Sequence, residues 1–531
     1  MEPTTFPVDM SDNLPCGRPI YAAPTDCDEQ PVCLMHSRDP NKPQDEFKRE
    51  VEAILADASA HHRPRDRFDF HGFAFLVADF RKETFAKNAD FGEATFTKTA
   101  NFSGATFTEE ADFSRANFTK KPYFRMATFA KNVDVSWTTF TEGAIFGQAR
   151  FARTADFGGA TFTEDVNFHG ATFSGEANFG EATFTKGAYF YGATFIEEAS
   201  FHDVTFTTGA NFSRATFTER ANFFRTAFTE AANFAEVTFI RNAGFSGATF
   251  CDAAFFDDAA FGPRESALIT GAEIHTIADF RDVRFLKPEL VRFLRTNGSA
   301  TEGLRVQFVN CHVEKVQFDA VRWHQYDGRM VLQDELDILD KVKDAPSYEE
   351  TAIAYRRLII NSEKARAYDL AEDCTIGEFE MRRRDPSRFP FVGVLDSTYE
   401  RFPILRRWIG EQVSVVGIYR LASIYGTSYQ RAAAVLLLLI LGFALVFSTI
   451  IGIHPHPLPL SPVATSTCKQ SNPGGALCAG LLHAFEVATL QKDVLYKPNS
   501  SLGRIVEIFE QVFIAGQVAL LLFALRRRFR R

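Results

Sequence analysis

Hydrophobic positions in the first half of this chain recur every eleven residues, a period that is neither that of an ordinary amphipathic helix nor that of an alternating strand. From Phe80 a step of eleven gives Phe91, Phe102, Phe113 and Phe124, then Val135, then Phe146, Phe157, Phe168, Phe179, Phe190, Phe201, Phe212, Phe223, Phe234, Phe245 and Phe256. A second series runs from Phe85 through Phe96, Phe107 and Phe118 to Phe261, so that 33 of the 34 positions are Phe. Two residues before each, the chain is small, usually Ala, as in Ala78-Asp79-Phe80 and Ala177-Asn178-Phe179. A helix of ~3.67 residues per turn also repeats at eleven. At ~100° per residue, however, the two series lie ~140° apart and form no single stripe. The intervening Thr, Asn, Gly and Ser are poor helix formers that suit short strands and turns. The pattern predicts short extended steps, each turning a corner, stacked as a β-solenoid with Phe on Phe inside.

The Ala-(Asp/Asn)-Phe-x-x unit resembles the pentapeptide-repeat proteins. That resemblance implies a mainly β fold, a right-handed, four-sided β-solenoid whose central Phe and preceding small residue face inward. The departure is a spacing that alternates five and six, so that one coil takes 22 residues. From Phe80 to Phe261 this gives about eight coils, or ~40 Å of rod at ~4.8 Å per coil. In the same register Thr139 and Thr141, Thr161 and Thr163, Thr183 and Thr185, and Thr205 and Thr207 stack on one face, as β-branched residues do on exposed strands. Lys120-Lys121-Pro122 and Val135 to Trp137 change the composition without changing the spacing, which marks a local surface feature. Gly262-Pro263-Arg264-Glu265 shifts the register by two. The pattern is expected to resume at Ala267-Leu268-Ile269 and Ala272-Glu273-Ile274, continue through Ala278-Asp279-Phe280, and close the solenoid, 67–325, near residue 325.

The flanks obey other periods. Residues 1–43 are Pro-rich and aperiodic, a disordered arm holding Cys16, Cys27, Cys33 and His36, four soft ligands in 21 residues. Their spacing matches no zinc finger, and thiols in a reducing cytosol are favoured over a metal site. Over 44–66, Phe47, Val51, Ile54 and Leu55 predict a helix that caps the first coil. In the helical adaptor, 326–390, Ser347 with Glu350 is a capping box opening a helix through Tyr355, Leu358 and Ile359. A second helix takes Tyr368, Ala371 and Cys374 to Met381 and stops at Asp385-Pro386. The pair resembles one tetratricopeptide-type hairpin, which must pack on the solenoid end or on a twin. Glu378, Glu380 and Arg382-Arg383-Arg384 read as a solvated helix end.

After a juxtamembrane segment, 391–431, residues 432–531 hold two apolar stretches. Ala432 to Ile453 is 22 residues without a charge and Ile505 to Leu525 is 21 more, mostly apolar, each long enough to span a bilayer. Arg406, Arg407, Arg420 and Arg431 precede the first and Arg526, Arg527, Arg528, Arg530 and Arg531 follow the second. The positive-inside rule then puts both termini and the solenoid in the cytoplasm, beneath the cell (inner) membrane. Cys468 and Cys478 face an oxidising compartment, where a disulfide between them would close a small loop. A short re-entrant helix is expected at Leu481 to Leu490. Two spans joined in this way resemble the pore module of two-span potassium channels. Such filters need Thr-Val-Gly-Tyr-Gly, whereas this chain has Thr489-Leu490-Gln491-Lys492-Asp493, so potassium selectivity by that mechanism is not supported. Glu507, Glu510, Gln511 and Gln517 fall within ~120° on a helix. They either line a pore or meet a partner helix, or, for the two acids, snorkel to water.

Composition narrows the function. The 531 residues include 57 Phe against 13 Tyr and 3 Trp, with a net charge of −9. Residues 79–261 carry 16 Lys+Arg and 23 Asp+Glu without blocks, so there is no basic stripe to meet nucleic acid. His61-His62 and His454 with His456 lack the context of a catalytic or metal site, and neither an enzyme nor a cofactor is expected. The sequence reads as a cytoplasmic rod coupled to a channel-like module, an oligomeric pore of four copies by analogy, not selective for potassium. Its expected partners are the lipid bilayer and a cytosolic protein. The alternatives are a membrane-anchored protein-binding scaffold without conduction, and an acidic DNA mimic of the kind found among gyrase-protecting members of the repeat family.

Overall fold

The computed structural model describes residues 5–9, 14–22, 28, 32–56, 67–261, 277–296, 303–388, 415–451, 453–455, 473–488, 496–498 and 500–528. They form two compact units, Met1–Asn361 and Ser362–Arg531.

The first unit is a solenoid of strands that are mostly two residues long. Successive strands fall in turn on parallel ladders, the longest of 11, 10, 9 and 8 strands. The eleven-stranded ladder runs from Arg67–Asp69 to Arg305–Gln307, about eleven turns. Each regular rung lies 22 residues from the last: Phe107 pairs with Phe129, and Thr139, Thr161, Thr183 and Thr205 stack in the predicted file. Every Phe named above for the two series is buried. Rings in one file lie face to face, as Phe96 and Phe118 do at 4.4 Å and 4°. Neighbouring files meet edge to face, as Phe102 and Phe113 do at 5.4 Å and 89°, so most rings have both favourable aromatic geometries. Val135 is the single gap in a file.

The Asp or Asn before the Phe has a separate task. Asp112 Oδ1 accepts from Ser114 N at 2.7 Å, and Asn167 Oδ1 from His169 N at 2.7 Å. This Asx turn lets the corner residue adopt positive φ even where it is not glycine, as at Arg115 (55°) and Trp137 (57°).

Beyond Phe261 the ladders resume in register at the expected Ala278-Asp279-Phe280. Ala243 pairs with Ala278, 35 residues on, and Thr249 with Arg284. The expected rungs at Ala267 to Ile269 and Ala272 to Ile274 lie outside the described residues. A parallel ladder admits a long insertion between rungs if the chain re-enters in register, and composition alone does not show where it does.

Both solenoid ends are covered. Helix α1, Gln44–Ala56, sets Phe47 edge-on against Phe75 at 5.4 Å. In the arm expected to be disordered, Thr5–Asp9 and Leu14–Ala22 pair antiparallel, and Leu14–Ala22 also pairs with Val32–Cys33. The register is irregular where Pro7, Pro15 and Pro19 interrupt donors. Buried Lys42 donates to the carbonyls of Leu34 (3.1 Å), Ser37 (2.8 Å) and Ala74 (2.5 Å), stitching this segment to the first coil. Burial pulls its ammonium down to about 7, against the raising influence of Cys33, Asp28 and Asp39.

At the other end helix α2, Gln333–Leu339, which the sequence did not suggest, meets the last rung. Asp334 Oδ2 accepts from Phe308 N at 2.8 Å, and Asp337 Oδ2 from Gln307 Nε2 at 2.6 Å, satisfying donors that have no further coil to pair with. Helix α3, Tyr348–Lys364, opens with the predicted capping box, Glu350 N donating to Ser347 Oγ at 3.2 Å and Ser347 N to Glu350 Oε2 at 2.9 Å. It packs on the solenoid end, where Arg357 donates to Cys311 O at 3.0 Å and Asn361 to Val313 O and Val316 O, both at 2.6 Å.

The second unit is helical: α4, Tyr368–Arg384; α5, Val415–Ser423; α6, Tyr429–Val446, running into a π turn at Phe447–Ile451; α7, Pro473–Ala488; and α8, Ser501–Arg528. Helix α4 ends before Pro386, as expected. The short helix α7 begins earlier than the expected Leu481.

Candidate functional site

Helices α6 and α8 contain stretches long and apolar enough to cross a membrane, Tyr429–Ile450 and Ser501–Arg526. What they bury is not what they expose. Leu438 is 67% exposed, Ile450 76% and Val512 65%, and Phe509, Phe513 and Leu522 are also exposed. Buried instead are Ala432, Ala444, Ala479, Ala484 and Ala524 with His483, Glu486, Glu510 and Gln517. Small residues let the helices approach: a Cβ on Gly480 of α7 would lie 2.4 Å from Ala444 O of α6. The His483 ring meets Phe447 edge-on at 4.6 Å.

The approach to the first span is held by one carboxylate. Glu380 on α4 accepts from Arg420 Nε at 2.7 Å and Tyr425 OH at 2.8 Å through Oε1, and from Arg383 Nη2 at 2.7 Å through Oε2. Phe379 stacks on Tyr425 at 5.0 Å. Burial by itself would raise the Glu380 carboxyl, but Arg383, Tyr425 and Arg420 outweigh it and hold it down at about 2. The same burial, with the Glu380 charge, pushes the Tyr425 phenol up. The solvated helix end expected at 378–384 is therefore a buried ion cluster, with Glu380 and Arg383 nearly inaccessible. Charge spacing on one helix cannot reveal that α5 brings Arg420, and the turn after it Tyr425, to this carboxylate.

The polar stripe of the second span separates into different roles. Gln517 Nε2 donates to Ala422 O and Ala432 O, both at 2.9 Å, tying α8 to the α5–α6 elbow. Glu510 is fully buried, and neither of its oxygens has a hydrogen-bond partner among the described residues. Glu507 is half-buried and Gln511 exposed. Thr489, Gln491 and Lys492 lie outside the described residues. So does Cys468, whereas Cys478 is disulfide-bonded.

On the N-terminal side Cys33 Sγ lies 2.9 Å from His36 Nδ1, and His36 Nε2 lies 3.1 Å from the His71 carbonyl. Cys27 and the side chain of Cys16 are outside the described residues, and no group of three or more metal-ligating side chains occurs among the described ones. Near 120–137 Tyr123, Met126 and Trp137 are exposed, but half a coil separates Met126 from Trp137, so Trp137 lies on the opposite side of the solenoid from Tyr123 and the three form no single patch. The Trp137 indole lies over Gly159, where a Cβ would come within 2.7 Å of the ring. Sequence reasoning passed over Lys42 and Asp334. Their signals were an isolated Lys before a helix and an acid-rich Gln-Asp-Glu-Leu-Asp run, and neither carries meaning until the coil end is known.

Comparison with known proteins adds one match. Pentapeptide repeats (9 copies) match residues 113–161, 157–205 and 181–227. No curated protein and no solved structure matches the chain. Alternating Phe files, Asx-capped corners and a 22-residue rung agree with that match, and the chain is thus built on a β-solenoid of pentapeptide repeats followed by helices, two of them long and apolar.

Proposed function

We propose that this chain is a membrane-anchored scaffold that holds a pentapeptide-repeat rod at the cytoplasmic face of a bilayer, where the rod binds a protein partner. The observation that carries this reading is the inverted packing of α6, α7 and α8, with leucines and phenylalanines outward and alanines and polar groups inward. Such a surface would aggregate in water and is matched by lipid. Arg420 and Arg431 before the first span and Arg526 to Arg531 after the second support cytoplasmic ends. Exposed Tyr123 and Met126 on one side of the rod and Trp137 on the other supply separate apolar points of contact. Ion pairs between neighbouring coils, such as Arg214 with Glu236 at 3.0 Å, interleave the surface charge and speak against a DNA mimic. The test is fractionation with protease protection. The chain should stay with membranes after an alkaline wash, and the rod should be digested only when the cytoplasmic face is accessible. Recovery of the intact chain in the soluble fraction would sink the proposal.

A second reading, an oligomeric pore not selective for potassium, is favoured by one observation, the buried acid Glu510 among apolar helices. Two spans enclose no pore, so it requires several copies. Ion flux in liposomes together with an oligomer of defined size would support it, and a monomer without flux would leave the scaffold alone.

A further inference from the structure

Away from Arg431, Arg504 and the arginines from Arg526 onward at their ends, the apolar helices hold negative charge and no fixed positive charge. Helix α6 has no charged residue from Ala432 onward, and the π turn has none. Helix α7 carries Glu486 but neither Lys nor Arg, and α8 between Ile505 and Leu525 carries Glu507 and Glu510 but neither Lys nor Arg. Glu510 is the extreme case, fully buried with both oxygens unbonded among the described residues, on the α8 face that also buries Gly503, Ile514 and Gln517. A carboxyl group withdrawn from water in this way is either protonated or paired with a cation, and α8 between Ile505 and Leu525 offers no fixed cation. Val506, one turn before Glu510, packs on Phe447 and Ala479, which sets this part of α8 beside the π turn that ends α6. π turns recur at functional sites, and this one carries the hydroxyls of Ser448 and Thr449, oxygen groups of the kind that suit a hard cation.

We propose that Glu510 is the acidic ligand of a monovalent alkali-cation site inside this helical bundle. The proposal rests on the reading of α6 and α8 as membrane spans. Its positive charge comes from solution, which is why the helices supply none away from their ends.

The test uses the full chain in lipid vesicles, treated with a hydrophobic carbodiimide that modifies carboxyls shielded from water, with the modified residue located by peptide mass spectrometry. Glu510 should be modified, the signal should persist in E507Q and vanish in E510Q, and replacing choline by Na+ or K+ should slow it several-fold. Modification of Glu510 at the same rate in choline, Na+ and K+ would overturn the site, as would its absence in protein that remains in the vesicles. Failure of the chain to enter vesicles at all would instead remove the membrane reading, so the two failures are distinguishable.

Discussion

The two halves of this molecule obey opposite packing rules. In the solenoid the largest apolar side chains go in: a Phe file buries area without a polar group to satisfy, and the exposed edge is left to Thr, Asn and charge. In α6 to α8 most leucines and phenylalanines go out, and Ala, Gly and a few polar groups go in beside Val487 and Ile514. The comparison teaches that hydrophobic content does not tell inside from outside. On the proposed membrane reading the solvent of each half sets the direction, with water driving rings together in one and lipid removing that drive in the other.

Truncating a ring and truncating a leucine should therefore differ most. Phe179→Ala should cost the solenoid about 3–5 kcal/mol, read as a lowered urea midpoint. Leu438→Ala on the exposed face of α6 should stay within ~0.5 kcal/mol in detergent. Equal losses at the two sites would break the comparison.

The next contrast is between two buried carboxylates. Glu380→Ala leaves Arg383, Arg384 and Arg420 without their anion and should cost about 3 kcal/mol, seen as a lower melting temperature of the helical unit. The Glu380 carboxyl is held at about 2, below its ordinary 4.5, so its contribution is full above pH 4.5 and is lost as pH falls toward 2. Asp334 runs the other way. Burial first, then Asp337, pushes it up to about 7 from 3.8, against Phe308 N–H and Arg281. Its contribution is full below pH 3.8 and is lost as pH rises through about 7. Asp334→Asn should flatten the loss of solenoid stability between these values. An unchanged pH profile would show that Asp334 is ionised without penalty.

Filling the one gap sharpens the comparison from the solenoid side. Val135 is buried between the levels of Phe113 and Phe157, so Val135→Phe should complete the file and stabilise by about 1 kcal/mol, provided the ring enters without strain. A lowered denaturation midpoint would mean that the neighbouring coils have closed around valine. The smallest effect is expected in the helical bundle. Gln517→Leu removes two hydrogen bonds to Ala422 and Ala432 but adds apolar volume, and should cost about 0.6 kcal/mol in detergent.

Much of this was legible in the sequence because a repeat states its own register. The 22-residue rung, the Thr files, the capping box at Ser347 and both apolar helices follow from local spacing. Less legible was whatever depends on a neighbour from elsewhere in the chain. Glu380 and Arg383 look solvated on α4 alone, and the polar stripe of α8 looks uniform until Gln517 finds carbonyls and Glu510 does not.

By itself the order of residues determined which rings stack, because in a solenoid each contact is made with the residue one period away. Only the tertiary structure decided the fate of the charges that do not repeat: Lys42 at the first coil, Asp334 at the last, Glu380 at the elbow and Glu510 in the bundle. Burial and pairing of a charge are set by whatever packs against it, and no periodicity carries that information.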